Sequence, residues 1–133
     1  MHAYEEKDFK ILIVDENVQF RNTLASRLRL QGYNVEFASG GFHLLHVLET
    51  YKDYCLLIMH EDMFDMSAEE IILLVRTNKT KTDLPILFIS QNNDNEEICD
   101  KIFKGANEFI VKTSNFQPII ERAKKYFTLL KNS

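Results

Sequence analysis

No segment of this 133-residue chain approaches the roughly 18 uninterrupted apolar residues that a bilayer-spanning helix requires, and Met1 to Phe9 has no apolar stretch of signal-peptide length. A soluble, cytoplasmic protein with no membrane role is expected. Cysteine is scarce as well: Cys55 and Cys99 each sit inside an apolar pattern and not in a paired spacing, which indicates neither a disulfide framework nor a zinc site. Two buried, reduced thiols are expected. Positive charge is not in excess either; the formal net charge is -4 and the basic residues are scattered, so no footprint for nucleic acid is visible. There is no internal repeat, low-complexity stretch or linker. What the chain does have is 45% hydrophobic residues, enough at this length to bury one core, and a single domain follows.

The apolar residues fall into five strand and helix units. Phe9, Ile11, Leu12, Ile13 and Val14 form a β-branched run of the kind buried on both faces of a sheet, and Phe20, Leu24 and Leu28 then recur at helical spacing before Gly32. Tyr33, Val35 and Phe37 alternate as a second strand. Gly40 and Gly41 open a helix with Leu44, Leu45 and Leu48 on one face, followed by the third strand, Cys55 to Met59. Ile71, Leu74 and Val75 share a helical face ahead of Pro85 and the fourth strand, Ile86 to Ile89. Ile98 and Ile102 mark a fourth helix stopped by Gly105; Phe109 to Val111 make the fifth strand, and Ile119, Ala123, Phe127 and Leu130 a fifth helix. Strands alternating with helices imply a parallel sheet covered on both faces, because parallel neighbours need crossover connections. The fold class is therefore α/β, doubly wound.

In such sheets the functional crevice lies at the carboxyl ends of the strands. The residues found there are Asp15 and Glu16, Ser39, His60 to Asp62, Ser90 and Lys112. An acidic pair after the first strand, where a nucleotide-binding sheet would carry a glycine-rich loop, suits a hard cation. Asp15 or Asn17 could equally do no more than cap the next helix. If the strands neighbour one another, acid, hydroxyl and ammonium converge on one crevice, a set able to place a metal-bound phosphoryl group.

Over essentially all of Lys10 to Phe127 the chain resembles the receiver domain of bacterial two-component response regulators. Ile11 to Glu16 resembles the family's first strand and acidic pair, Gly32 and Tyr33 its turn into the second strand, and Pro85 to Ser90 its fourth strand with a switch hydroxyl. Gly105, Ala106 and Phe109 to Lys112 resemble its fifth strand, aromatic switch position and lysine. The resemblance implies a CheY-like, flavodoxin-like sheet of five parallel strands in order 2-1-3-4-5, with residues 1–9 an N-terminal extension and 10–130 the domain. It also implies Asp15 and Glu16 as metal-binding acids, Ser90 as switch hydroxyl, Phe109 as switch aromatic and Lys112 as the phosphate-contacting cation.

The third strand departs from the family. Met63, Met66 and Glu70 keep the expected offsets and place the phosphate acceptor at His60, where the family has aspartate; Phe64 stands at a proline position and Ala68 at a glycine position. Imidazole is a nitrogen ligand that magnesium takes poorly, so Mg2+ binding is expected to be weak. His60 is expected to hydrogen-bond to Asp15 or Glu16, which would raise its pKa and fill the pocket with an ion pair. Asp62 or Glu61 could restore a carboxylate, and a set of Asp15, Glu16, Asp62 and His60 could hold a transition metal instead. Lys112 precedes Thr113 and not the family's cis proline, so a trans bond is expected, with the lysine aimed differently.

The resemblance and its departure at His60 lead to the expectation of a pseudo-receiver, not an enzyme beyond self-phosphorylation at most, that binds protein partners, a histidine kinase or a downstream effector. The family's output face, built from the fourth helix, fifth strand and fifth helix around Lys101, Lys104, Phe109 and Phe116, is the expected contact. No output domain is legible, so effector action is expected to run through another chain or a segment outside this sequence. Two alternatives stand beside this reading: a phosphorylatable receiver using Asp62 or His60 as acceptor, and a flavodoxin-like cofactor-binding protein, against which the lack of a hydroxyl- and glycine-rich first loop speaks.

Overall fold

A computed structural model describes residues 3–61, 63–91 and 105–133. Five strands, β1 (Lys10–Val14), β2 (Asn34–Ala38), β3 (Leu56–Met59), β4 (Ile86–Ser90) and β5 (Glu108–Val111), form one sheet in the order β2-β1-β3-β4-β5. Every pairing is parallel. Four described helices connect or follow them: α1 (Val18–Leu30), α2 (Gly41–Thr50), α3 (Ala68–Asn78) and α4 (Gln117–Lys131). The helix expected around Ile98 and Ile102, and with it Cys99, Lys101 and Lys104, lies outside the described residues, as does Asp62.

The unbroken apolar strands have a direct cause. Alternate residues of a strand face opposite ways, so a sheet covered on both faces needs an apolar side chain at every position. Leu12, Val14, Leu57, Met59, Ile86 and Phe88 pack with Leu44 and Leu48 of α2 and Ile71, Ile72 and Val75 of α3. On the other face, Ile11, Ile13, Leu56, Ile58, Leu87 and Ile89 pack with Leu24 and Leu28 of α1 and Ile119, Ala123 and Phe127 of α4.

Helical phase differs from the sequence expectation at two points. Leu74 is exposed and Ile72 takes its place in the core, and Leu130 is exposed while Ile120 and Tyr126 are buried. In a run such as Ile71 to Val75, consecutive apolar residues fit two phases about 100° per residue apart, and only the sheet beneath selects one. Cys55, expected to be buried, is half-buried just ahead of β3 with its Sγ 3.5 Å from the Tyr4 hydroxyl.

Gly32 ends α1 with φ at +98°, a conformation that side-chain-bearing residues rarely adopt. Gly105 serves a different purpose: a Cβ there would lie 2.1 Å from Ile72 Cγ2, so its absence is what lets the approach to β5 pass over α3. Phe9 is fully buried and packs edge-on against Tyr33 and Phe127, while Tyr4 stacks on Phe127 at 5.7 Å between ring centroids.

Candidate functional site

Sheet register gathers the strand ends. Val14 lies opposite Met59, Met59 opposite Phe88, and Ser90 opposite Val111, so the residues that follow β1, β3 and β5 meet the last residue of β4 at one edge. Asp15, Glu16, Asn17, His60, Glu61, Met63, Gln91 and Lys112 line a cleft of about 320 Å³.

Asp15 is buried, and both its oxygens are engaged. Oδ1 accepts from the Asn17 backbone N–H at 2.8 Å, and Oδ2 pairs with Lys112 Nζ at 3.4 Å. Asn17, not Asp15, caps α1, its side chain accepting from Phe20 N at 3.0 Å. The Lys112 ammonium also sits 4.0 Å from the centroid of the Phe20 ring, a cation over an aromatic face. No cis peptide bond occurs among the described residues, so Lys112–Thr113 is trans. The lysine points into the crevice, where the strand-end pattern expected it.

His60 is placed by its backbone, whose N–H donates to Val14 O at 3.1 Å. Its side chain does not make the ion pair expected of it. Nε2 is buried and has no hydrogen-bond partner, and the imidazole pKa is lowered, not raised. Burial is the largest cause; Asp15 pulls the other way, but its charge is already matched by Lys112, which itself opposes protonation of His60. His60 is therefore a neutral ring at neutral pH.

Glu61, one of the two acids expected to be able to restore a carboxylate, has a defined place. Its Oε1 accepts from Ser90 Oγ at 2.6 Å and from the Gln91 backbone N–H at 2.8 Å. These bonds, the one from Ser90 first, hold its pKa below the usual carboxylate range. Ser90, expected to offer its hydroxyl to a phosphoryl group, gives it to Glu61. The spacing of Glu61 to the end of β4 is a through-space relation that depends on the β3 to β4 register, which explains why local pattern did not reveal it.

Two further carboxylates tie down the loop between β3 and α3. Glu16 Oε1 accepts from the Phe64 backbone N–H, and Asp65 accepts from Gly41 N at 2.9 Å and Phe42 N at 3.1 Å at the start of α2. Asp65 was not singled out by sequence; it caps a helix whose own N-cap, Gly40, has no side chain to do so. Phe109 is half-buried and stacks on Phe88 at 5.8 Å, on the α2 and α3 side of the sheet. Phe116 packs against Phe20 on the other side.

As they stand, these side chains offer a magnesium ion few free oxygens. Both Asp15 oxygens and one of Glu16 serve the protein's own donors, and among the described residues no three of His, Cys, Asp and Glu converge closely enough to hold a metal ion. Asp62, the carboxylate suggested as a substitute, lies outside the described residues.

Comparison with known proteins places this geometry in context. Residues 11–124 match the model of the response regulator receiver domain. The chain is 28% identical over 131 residues to the chemotaxis protein CheY-3 of Vibrio cholerae, covering 98% of this chain and 100% of that protein. It is 30% identical over 125 residues to the aerobic respiration control protein ArcA of Escherichia coli, covering 92% of this chain and 50% of ArcA. Among solved structures, response regulator protein TrrA of Thermotoga maritima, in complex with Mg(2+)-BeF, is similar with a TM-score of 0.78 and 27% identity, covering 89% of this chain and 98% of that one.

Proposed function

The chain belongs to the family of response regulator receiver domains of two-component signalling, and from that premise we propose that it signals without aspartyl phosphorylation, through binding to protein partners. The observation that carries this reading is the residue at the end of β3. A phosphate acceptor must present a reachable nucleophile, and a receiver's acceptor also contributes a hard oxygen to the metal. His60 offers a neutral ring whose Nε2 is buried. Weak magnesium binding follows, because the site has one carboxylate fewer and the remaining acids are committed to protein donors. Histidine kinases and effectors are the partner class, met through the face that includes β5 and α4.

Intact mass after incubation with magnesium and acetyl phosphate tests the reading, with His60→Asp run alongside. Wild type is expected to stay unmodified and the substituted protein to gain one phosphoryl group. Phosphoryl incorporation by wild type would sink the proposal, and the stability of the adduct in acid or base would then identify histidine or a carboxylate as its carrier.

A further inference from the structure

At the end of β4 a hydroxyl and the next backbone N–H converge on one point: both Ser90 Oγ and Gln91 N donate to Glu61 Oε1. Lys112 enters the same cleft and its charge favours an anion at Glu61. A hydroxyl, a backbone N–H and an ammonium form a donor set for an oxyanion such as phosphate.

We propose that the Glu61 carboxylate is a built-in occupant of this oxyanion site, keeping the Ser90 end of β4 in a ligand-engaged arrangement and excluding free oxyanions. The proposal deepens, and rests on, the reading of the chain as a receiver that is not phosphorylated. It names what takes the phosphoryl group's place. Three features support it. Glu61 directly follows His60 and is carried on a loop that is also fixed by Glu16 at Phe64 and by Asp65 at the start of α2, so little freedom is lost when its carboxylate engages Ser90. The bond from Ser90 is a charge-assisted one at 2.6 Å. The carboxylate is also tethered, and an intramolecular group at millimolar or higher effective concentration outcompetes a free anion of modest affinity.

The probe is inorganic phosphate, titrated to tens of millimolar at constant ionic strength, with the Gln91 amide followed by two-dimensional 1H–15N NMR. Wild type is expected to show no saturable shift at Gln91, and Glu61→Ala to show one with an apparent affinity at least about tenfold tighter than any wild-type response. Amide dispersion reports whether the variant is folded; if Glu61→Ala unfolds, Glu61→Gln keeps the side-chain size, removes the charge, and takes its place. Equal saturable binding by wild type and variant overturns the proposal, because Glu61 would then not exclude the ligand. Binding by neither also overturns it, because no oxyanion site would exist there. Phosphoryl incorporation by wild type in the mass assay strikes the unphosphorylated reading instead, and leaves the Gln91 titration to decide the role of Glu61.

Discussion

His60 is the residue at which local chemistry and surroundings disagree most. In water an imidazole titrates near 6.5; here burial disfavours its charged form, so the folded-state pKa lies below the unfolded value. Between those two values the unfolded chain binds the proton more readily, so stability rises with pH across that window and falls as pH drops below 6.5. His60→Asn, which keeps a polar side chain that does not titrate, removes this contribution. Thermal unfolding followed from pH 7.5 down to pH 5 is therefore expected to show wild type losing more of its Tm than the variant. Parallel loss in both proteins would show that His60 is not held neutral by burial.

At the scale of elements, Arg76 joins the end of α3 to the start of β5. Nε donates to Gly105 O at 2.7 Å, Nη1 to the carbonyls of Thr80 at 2.9 Å and Leu84 at 2.8 Å, and Nη2 to Asn107 Oδ1 at 3.0 Å. Asn107 in turn accepts from Ile86 N at the first residue of β4. Removing the guanidinium takes the donor from the part-buried carbonyls of Gly105 and Leu84, and Arg76→Ala is expected to destabilise by about 2–4 kcal/mol, read by urea unfolding. A loss under about 0.5 kcal/mol, the range of an ordinary surface substitution, would count against this role. Nothing in the sequence marked Arg76, since a single arginine at the end of an amphipathic helix looks like any solvated charge until its partners, Gly105 and Asn107 among them distant in sequence, are brought beside it.

For the whole molecule, the segment before β1 is anchored in the core by its last residue. The resemblance sets residues 1–9 apart as an extension, yet Phe9, which the apolar pattern already joined to the first strand, is fully buried against Tyr33 and Phe127 in the layer between the sheet and α4. Phe9→Ala is expected to cost about 3–5 kcal/mol in urea unfolding, as removal of a buried aromatic ring does. A cost below about 1 kcal/mol would mean that the segment only lies against the domain.

Element order and sheet type were determined by the sequence alone, because hydrophobic period is a local property: unbroken apolar runs demand two covered faces, and alternation with helical segments demands parallel crossovers. The set of strand-end residues followed from the same pattern, and Asp15, His60, Glu61 and Lys112 do share one cleft, with Ser90 bonded to Glu61 at its edge. Their pairing was decided only by the tertiary structure. Whether Asp15 met His60 or Lys112, and whether Ser90 met an incoming anion or Glu61, depends on sheet register and on ångström-scale distances between residues far apart in the chain. The protonation of His60 depends on how much water those neighbours exclude, a quantity that no spacing of letters contains.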